Sequence, residues 1–205
     1  MGIGDLNRAA IFLDRDGVLN ELVLNPATGR MESPLQPEDL RLIDGAIPAL
    51  MRLQRAGYPL VLVSNQPNFA LGKSTLDALG AVHCRLESEL IAAGVQFARF
   101  SYCLHHPQGV VAGYSGLCVC RKPSPWFLLR ARDDFGYSLR DSWMIGDQPT
   151  DTQCGRAAGV RTIRVNSGSF TAERSAAPAA DYMVWQLSEA AEIILTHRPG
   201  AARGH

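Results

Sequence analysis

The sequence has little lysine, no net charge and no long hydrophobic run, and each of these absences narrows the possible functions. Of its 205 residues, 20 are basic and 20 are acidic, giving a formal net charge of +0. Non-specific nucleic-acid binding requires a basic surplus, so we expect no nucleic-acid partner. No apolar run approaches the roughly 18–20 residues of a membrane-spanning helix, and no signal peptide is visible. We therefore expect a cytoplasmic protein with no membrane partner.

Lysine occurs only at Lys73 and Lys122, and every other basic residue is arginine. Lys73 is the second-last residue of a segment, Pro67 to Ser74, that resembles the phosphate-binding P-loop pattern G-x-x-x-x-G-K-[ST]. Pro67, however, occupies the first glycine position, and proline has no N–H to offer a phosphate. A P-loop nucleotide binder is thus a minor alternative, and Lys73 is predicted to face solvent.

Short apolar runs alternate with helical patterns along the chain. Hydrophobic residues make up 46% of the sequence, enough for a packed core. The alternation predicts a doubly wound α/β fold with a mainly parallel sheet, as a single domain over residues 1–196 with a flexible tail over 197–205. The predicted strands are Ala9–Leu13, Pro59–Val63, Phe100–Cys103, Ser142–Ile145 and Thr162–Val165. The predicted helices are Ala46–Ala56, Ser74–Ala93, Pro125–Phe135, Asp151–Ala158 and Ser188–Thr196.

Polar residues follow three of the predicted strands: Asp14, Ser64 and Asp147. The carboxyl ends of parallel strands meet at one edge of a sheet, where ligands bind. Asp14 and Asp16 follow the end of the first strand, and Gly17 permits a sharp turn there. One carboxylate could attack a phosphate ester while the other exchanges a proton with the leaving oxygen.

Five cysteines are present, an odd number that suits a metal site better than a set of disulfides. Cys103 and His105 form one pair and Cys118 and Cys120 form another, which together supply the four ligands of a structural Zn²⁺ site in a loop over residues 103–121. His106 is the alternative ligand to His105. A zinc-stabilised binding module remains an alternative to an enzyme.

Four motifs, in their types and in their order along the chain, resemble those of the haloacid dehalogenase superfamily of phosphatases. The motifs are Asp14–Gly17, Ser64, Lys122 and Gly146–Asp151. The resemblance implies a Rossmann-like domain without a separate cap, and a Mg²⁺-dependent phosphohydrolase that forms an aspartyl-phosphate.

The resemblance also assigns roles to the motif residues. It makes Asp14 the nucleophile and Asp16 the acid and base, with Ser64 and Lys122 holding the phosphoryl group. It places Mg²⁺ on Asp14, Asp16 and Asp147, with Asp151 in support.

The Cys/His loop narrows the resemblance to the subgroup of heptose bisphosphatases and histidinol-phosphate phosphatases. It implies a small phosphorylated sugar as substrate, with the 7-phosphate of D-glycero-D-manno-heptose 1,7-bisphosphate expected and histidinol phosphate as the alternative. A monomer or weak dimer is expected. Gln148 stands where these enzymes often have lysine, and the loop from Asn20 to Pro37 is longer than theirs. The implied substrate-binding residues are Arg15, Leu22, Asn25, Asn65, Gln66, Pro67, Arg121 and Gln148.

Overall fold

The strands of the protein form one large sheet and one small hairpin. A computed structural model describes residues 8–26, 29–166 and 179–197. The strands are β1 (Ile11–Leu13), β2 (Val23–Asn25), β3 (Arg30–Glu32), β4 (Leu60–Asn65), β5 (Phe97–Cys103), β6 (Trp143–Gly146), β7 (Arg161–Val165) and β8 (Tyr182–Val184). Six strands pair in parallel in the order β5-β4-β1-β6-β7-β8, whereas β2 and β3 form an antiparallel hairpin.

The described residues form five α-helices, of which four lie between strands of the large sheet and the fifth follows the last strand. They are α1 (Ala46–Arg55), α2 (Leu76–Ala92), α3 (Trp126–Phe135), α4 (Pro149–Ala158) and α5 (Leu187–Thr196). The side chain of Thr75 caps α2 by accepting a hydrogen bond from the N–H of Ala78, as expected at a helix start. None of the described helices is long and apolar enough to cross a membrane.

The core lies on both faces of the sheet, which explains the uninterrupted apolar runs in the central strands β1, β4 and β6. In β1, Ile11 and Leu13 belong to the cluster that includes α1, α2 and α5, while Phe12 belongs to the cluster that includes α3 and α4. Successive side chains of a strand point to opposite faces, so a strand covered on both sides must be apolar at every position.

The order of the strands places a ligand site between β1 and β6. The chain runs outwards from β1 through β4 to β5, then returns to pair β6 with the other side of β1. At such a switch point the loops that follow the two central strands diverge to opposite sides, and a crevice opens at their carboxyl ends. Asp14 follows β1 and Asp147 follows β6.

The structure confirms the predicted fold class and adds three strands that the sequence pattern did not indicate. The hairpin strands β2 and β3 are short and partly exposed, and β8 is a short apolar strand of three residues, Tyr182–Val184. Helix α4 begins at Pro149 rather than at residue 151, because proline is well suited to the first helical turn. Of the predicted tail, residues 198–205 lie outside the described residues, while the Nε2 of His197 lies 2.9 Å from the hydroxyl of Tyr182.

Phe12→Ala should lower the free energy of unfolding by about 3–5 kcal/mol, because it opens a cavity beneath the sheet where the side chain is 0% exposed. The matched control is Ile91→Ala, in α2, where the residue is 61% exposed and the loss should stay below about 1 kcal/mol. Urea unfolding followed by circular dichroism measures both. Equal losses in the two variants would contradict the assignment of Phe12 to the core.

Candidate active site

Three carboxylates converge where β1 and β6 end. The backbone N–H of Asp14 donates to the carbonyl of Ile145 at 2.9 Å, which fixes the end of β1 against β6. Asp147 follows β6, and Asp151 lies in the first turn of α4. All three are buried, and each offers an oxygen within 4.8 Å of the others. Three buried carboxylates this close require cations nearby.

Two glycines permit this close approach. Gly17 has a φ of 76°, and a Cβ there would lie 2.8 Å from Oδ2 of Asp147. A Cβ on Gly146 would overlap the side chain of Asp151. The glycines of the first and last motifs therefore let the loop after β1 and the start of α4 pack against the neighbouring carboxylates.

The ammonium group of Lys122 lies between two of the carboxylates. Its Nζ is 2.9 Å from Oδ1 of Asp14 and 2.6 Å from Oδ1 of Asp151, and it donates a third bond to the carbonyl of Val63 at 2.8 Å. Burial opposes the charged form, but the two carboxylates outweigh it and raise the pKa of Lys122 above its ordinary value. Burial raises the pKa of Asp151 to about 6, while Lys122 opposes that shift. Lys122 thus stays protonated at neutral pH.

Asn65, at the end of β4, holds the backbone of Lys122 in place. The Lys122 N–H donates to Oδ1 of Asn65 at 3.0 Å, and the Asn65 amide donates back to the Lys122 carbonyl at 3.1 Å. Both polar ends of the amide are engaged with one peptide segment. Asn65, predicted to bind substrate, therefore also positions Lys122.

Asp16 lies in a cradle of hydrogen-bond donors. The Arg15 guanidinium donates to both of its oxygens at 3.0 to 3.2 Å, and the Asn20 amide donates at 3.0 Å. Ser33 donates at 2.8 Å and Gln66 at 2.5 Å. Burial would raise the pKa of Asp16, but the charge of Arg15 and these hydrogen bonds outweigh it and lower the pKa. The cradle stabilises the carboxylate form.

A cavity of about 800 Å³ opens above these carboxylates. It is lined by the following predicted site residues: Asp14, Asp16, Leu22, Asn65, Pro67, Arg121, Lys122, Asp147 and Gln148. The other predicted site residues near this end of the sheet do not line it: Arg15, Asn25, Ser64, Gln66 and Asp151. Arg15 and Gln66 instead turn towards Asp16 and towards each other, with 2.9 Å between Nη2 and Oε1. Gln66 also donates to the hydroxyl of Ser64 at 3.1 Å.

The hairpin supplies lining residues that the sequence analysis missed. Met31, Glu32 and Ser33 form one wall of the cavity, and Leu117 of the Cys/His loop lies in another. The available signal was Gly29, a turn residue inside the long loop after Asn20, which could have indicated a hairpin. The residues after this turn, Arg30–Glu32, contain no apolar run, so the hydrophobic pattern alone predicts no second strand there.

The cysteine and histidine pairs form a tetrahedral set. The three sulfurs of Cys103, Cys118 and Cys120 are 3.4 to 3.7 Å apart. The Nδ1 of His105 lies 3.9 Å from Cys103 and 3.6 Å from Cys120. Ligands around a tetrahedral Zn²⁺ would be about 3.8 Å apart for two sulfurs and about 3.6 Å for sulfur and nitrogen. The donors and their spacing therefore fit Zn²⁺ with all four positions filled by protein.

His105, not His106, turns its ring into this set. The Nδ1 of His106 accepts a hydrogen bond from the N–H of Gln108 at 3.1 Å and so serves the turn that follows. Burial raises the pKa of the Cys103 thiol, as expected for a ligand that gives up its proton only to a cation.

The carboxylates of Asp14, Asp147 and Asp151 fit a hard cation such as Mg²⁺, which prefers oxygen ligands. The two oxygens of Asp151 already contact Lys122 and the N–H of Gln148, at 2.6 and 2.9 Å. The Asp16 side chain is absent from this group. Asp14 and Asp147 are therefore the better placed of the carboxylates to hold the ion.

The segment that resembles a P-loop does not form a phosphate cradle. The N–H groups of Leu71, Gly72 and Lys73 donate to carbonyls within the segment, at 2.8 to 3.0 Å. A P-loop needs these groups to point at a phosphate. Lys73 is exposed, as predicted, and its side chain also contacts Glu32 at 3.0 Å.

Comparisons with known proteins cover nearly all of the chain. A family model described as HAD-hydrolase-like matches residues 119–190. The D-glycero-beta-D-manno-heptose-1,7-bisphosphate 7-phosphatase of Yersinia pestis is 35% identical over 187 residues, covering 90% of this chain and 94% of that protein. The D-glycero-D-manno-heptose-1,7-bisphosphate 7-phosphatase of Thermosynechococcus vestitus is 38% identical over 198 residues, covering 93% and 97%.

A solved structure has the same fold. The D,D-heptose 1,7-bisphosphate phosphatase of B. bronchiseptica, in complex with magnesium and phosphate, superposes with a TM-score of 0.76 at 26% identity. The superposition covers 93% of this chain and 99% of that one.

The purified protein should contain about one zinc per chain, since the four donors saturate one tetrahedral ion. Cys118→Ser should lower the zinc content and the melting temperature together, because the binding free energy of a structural metal is part of the folding free energy. Cys84→Ser, on the exposed face of α2, is the matched control and should change neither. Mass spectrometry of the metal and thermal unfolding test this. A chain prepared without chelator that holds no zinc would refute it.

Proposed function

This chain belongs to the haloacid dehalogenase-like family of hydrolases, and from that premise we propose that it removes the 7-phosphate of D-glycero-D-manno-heptose 1,7-bisphosphate. The observation that carries the proposal is the buried pair of Asp14 and Lys122 beneath a cavity that Asp16 also lines. This arrangement offers a fixed nucleophile, a cation for the phosphoryl charge and a second carboxylate for proton transfer. The identity of the sugar is supported by the names of the relatives.

Asp14 is held through one of its two oxygens. Oδ1 accepts from Lys122 at 2.9 Å and from the N–H of Arg15 at 2.7 Å, whereas no donor in the described part of the chain is bonded to Oδ2. Oδ2 attacks the phosphorus, forming an aspartyl-phosphate, and the bond between phosphorus and the sugar oxygen breaks. Water then cleaves the new bond at phosphorus and restores the carboxylate. Because both donors bind the other oxygen, the nucleophile is oriented without being blocked.

Asp16 transfers the proton in both steps. In the first step it protonates the departing sugar oxygen, and in the second it takes a proton from the attacking water. The cradle lowers the pKa of Asp16 in the free enzyme, which favours the form needed for the second step. The negative charge of a bound phosphate acts in the opposite direction and favours the protonated form for the first step.

We propose two metal ions with different tasks. Asp14, Asp147 and the main-chain carbonyl of Asp16 would hold Mg²⁺, with Asp151 in support, and the ion would neutralise phosphoryl oxygens. Cys103, His105, Cys118 and Cys120 would hold a structural Zn²⁺ that closes the loop before Lys122.

Arg121 is the cation best placed for the rest of the substrate. One of its guanidinium nitrogens donates to the carbonyl of His105 at 3.1 Å, so the zinc loop orients the side chain. Arg121 lines the cavity, and a guanidinium has further donors for a phosphate. We assign to it the phosphate that is not hydrolysed, with Gln148 and Leu22 as neighbouring contacts.

A kcat/KM panel tests the substrate. The panel comprises both anomers of heptose 1,7-bisphosphate, heptose 7-phosphate and histidinol phosphate. We expect a heptose bisphosphate to be preferred by at least about tenfold, which corresponds to roughly one well-placed charged hydrogen bond. The product should be heptose 1-phosphate. A preference for histidinol phosphate would replace the proposed substrate while leaving the reaction type intact.

Asp14→Asn should reduce turnover at least about a thousandfold, because it removes the nucleophile while keeping the shape of the side chain. Asp77→Asn, exposed in the first turn of α2, is the matched control and should leave turnover unchanged. Release of inorganic phosphate measures both. Substantial residual turnover in Asp14→Asn would exclude the aspartyl-phosphate mechanism.

A further inference from the structure

Lys73, the lysine that the phosphatase motifs do not use, forms an ion pair with the wall of the cavity. Its Nζ lies 3.0 and 3.1 Å from the two carboxylate oxygens of Glu32, at the end of β3. The amide of Asn25, in the neighbouring strand β2, also donates to this carboxylate, at 3.2 Å. The pair thus connects the loop after β4 with the hairpin.

Glu32 adds a negative charge to a wall that must admit phosphate. The cavity lining contains the carboxylates of Asp14, Asp16, Asp147 and Glu32. Its cations are Arg121 and Lys122, and Lys122 is already bonded to Asp14 and Asp151. A substrate with two phosphates is repelled by an unneutralised carboxylate more strongly than a substrate with one. The charge state of the Glu32 wall therefore bears on which substrates enter.

The loop that carries Lys73 is fixed from the side of the zinc loop. The carbonyl of Ala70 accepts from the N–H groups of Val110 and Val111, at 2.7 and 3.2 Å. The ring of Phe69 packs edge-on against Tyr114, with 4.8 Å between centroids. The ammonium group of Lys73 is thereby presented to the hairpin from a supported backbone.

The hairpin is also bonded directly to the chemical centre. Ser33, the residue after Glu32, donates to Oδ2 of Asp16 at 2.8 Å. The wall is therefore held at two adjacent residues, by Asp16 at Ser33 and by Lys73 at Glu32. Loss of the second attachment would remove the ammonium group that offsets the charge of Glu32.

We propose that Lys73 is a positioning residue that neutralises Glu32 and holds the hairpin wall, so that the cavity accepts a doubly phosphorylated sugar. The proposal rests on the proposed function for the identity of the substrate. It assigns Lys73 no contact with the reacting atoms. Its effect is on binding, with the chemical step unchanged.

Lys73→Met should raise KM for the heptose bisphosphate about tenfold and leave kcat within about twofold, because loss of the cation beside Glu32 increases the repulsion of two phosphates during binding. The increase should be smaller for a monophosphate and should shrink as salt is raised. Lys73→Arg should restore KM. Adding Glu32→Gln to Lys73→Met should also restore it, since the repelling charge is then removed, an outcome that a merely structural role for Lys73 does not produce.

Calorimetry separates this proposal from the proposed function. In the Asp14→Asn variant, binding can be measured without hydrolysis of the substrate. There, Lys73→Met should raise the Kd for the bisphosphate about tenfold. The control is Arg52→Met, which removes a surface ion pair with Glu192 between α1 and α5 and should leave Kd unchanged. An unchanged Kd in Lys73→Met, or a weakened Kd that Glu32→Gln does not rescue, would overturn the role of Lys73. Absence of hydrolysis by the wild-type chain would overturn the proposed function alone.

Discussion

The structure of the site depends on one buried ammonium group. Lys122 is nearly inaccessible to solvent, and its three donors are matched by Asp14, Asp151 and the Val63 carbonyl. Without it, two buried carboxylates would face each other in a low dielectric, and one would be driven to take up a proton. With it, Asp14 remains an anion with a fixed orientation. A lysine serves here because a compact ammonium can meet three acceptors in different directions, whereas a planar guanidinium cannot.

Lys122 lies on a loop that begins at the edge of the sheet, and the Cys/His loop explains how its side chain reaches the centre. The loop leaves from β5, the edge strand, and Lys122 must reach the end of β1, two strands further in. Cys103 ends β5 and is the register partner of Asn65, which ends β4. The Cys/His set ties the returning loop to the end of β5, and Asn65 then binds the backbone of Lys122 at the end of β4. Each attachment brings the loop one strand closer to Asp14.

The sequence could predict the location of a site residue wherever its place along the chain determines its place in the fold. It does so for Asp14 and Asp147, because residues that follow buried parallel strands must lie at the same edge of the sheet. The pairs around Cys103 and Cys118 are similarly informative, because ligand type and spacing predicted a zinc site and the structure brings those four side chains together. Arg15 and Gln66 are different. The family resemblance placed them against substrate, but their side-chain conformations direct them to Asp16, and no spacing in the sequence specifies that choice.

In the proposed mechanism, the cradle around Asp16 has to satisfy two opposing demands on a single carboxylate. A general acid must hold a proton before the sugar oxygen leaves, whereas a general base must lack one when water attacks. In an apolar pocket Asp16 would be protonated throughout and could not act as the base. The guanidinium of Arg15 prevents this by stabilising the anion. A bound phosphate contributes negative charge with the opposite effect on this pKa, and in the proposed first step the total negative charge falls by one because the Asp14 carboxylate becomes an ester. In the proposed mechanism the substrate thus favours the acid form first and the base form afterwards, while the charge of Arg15 lowers the pKa of Asp16.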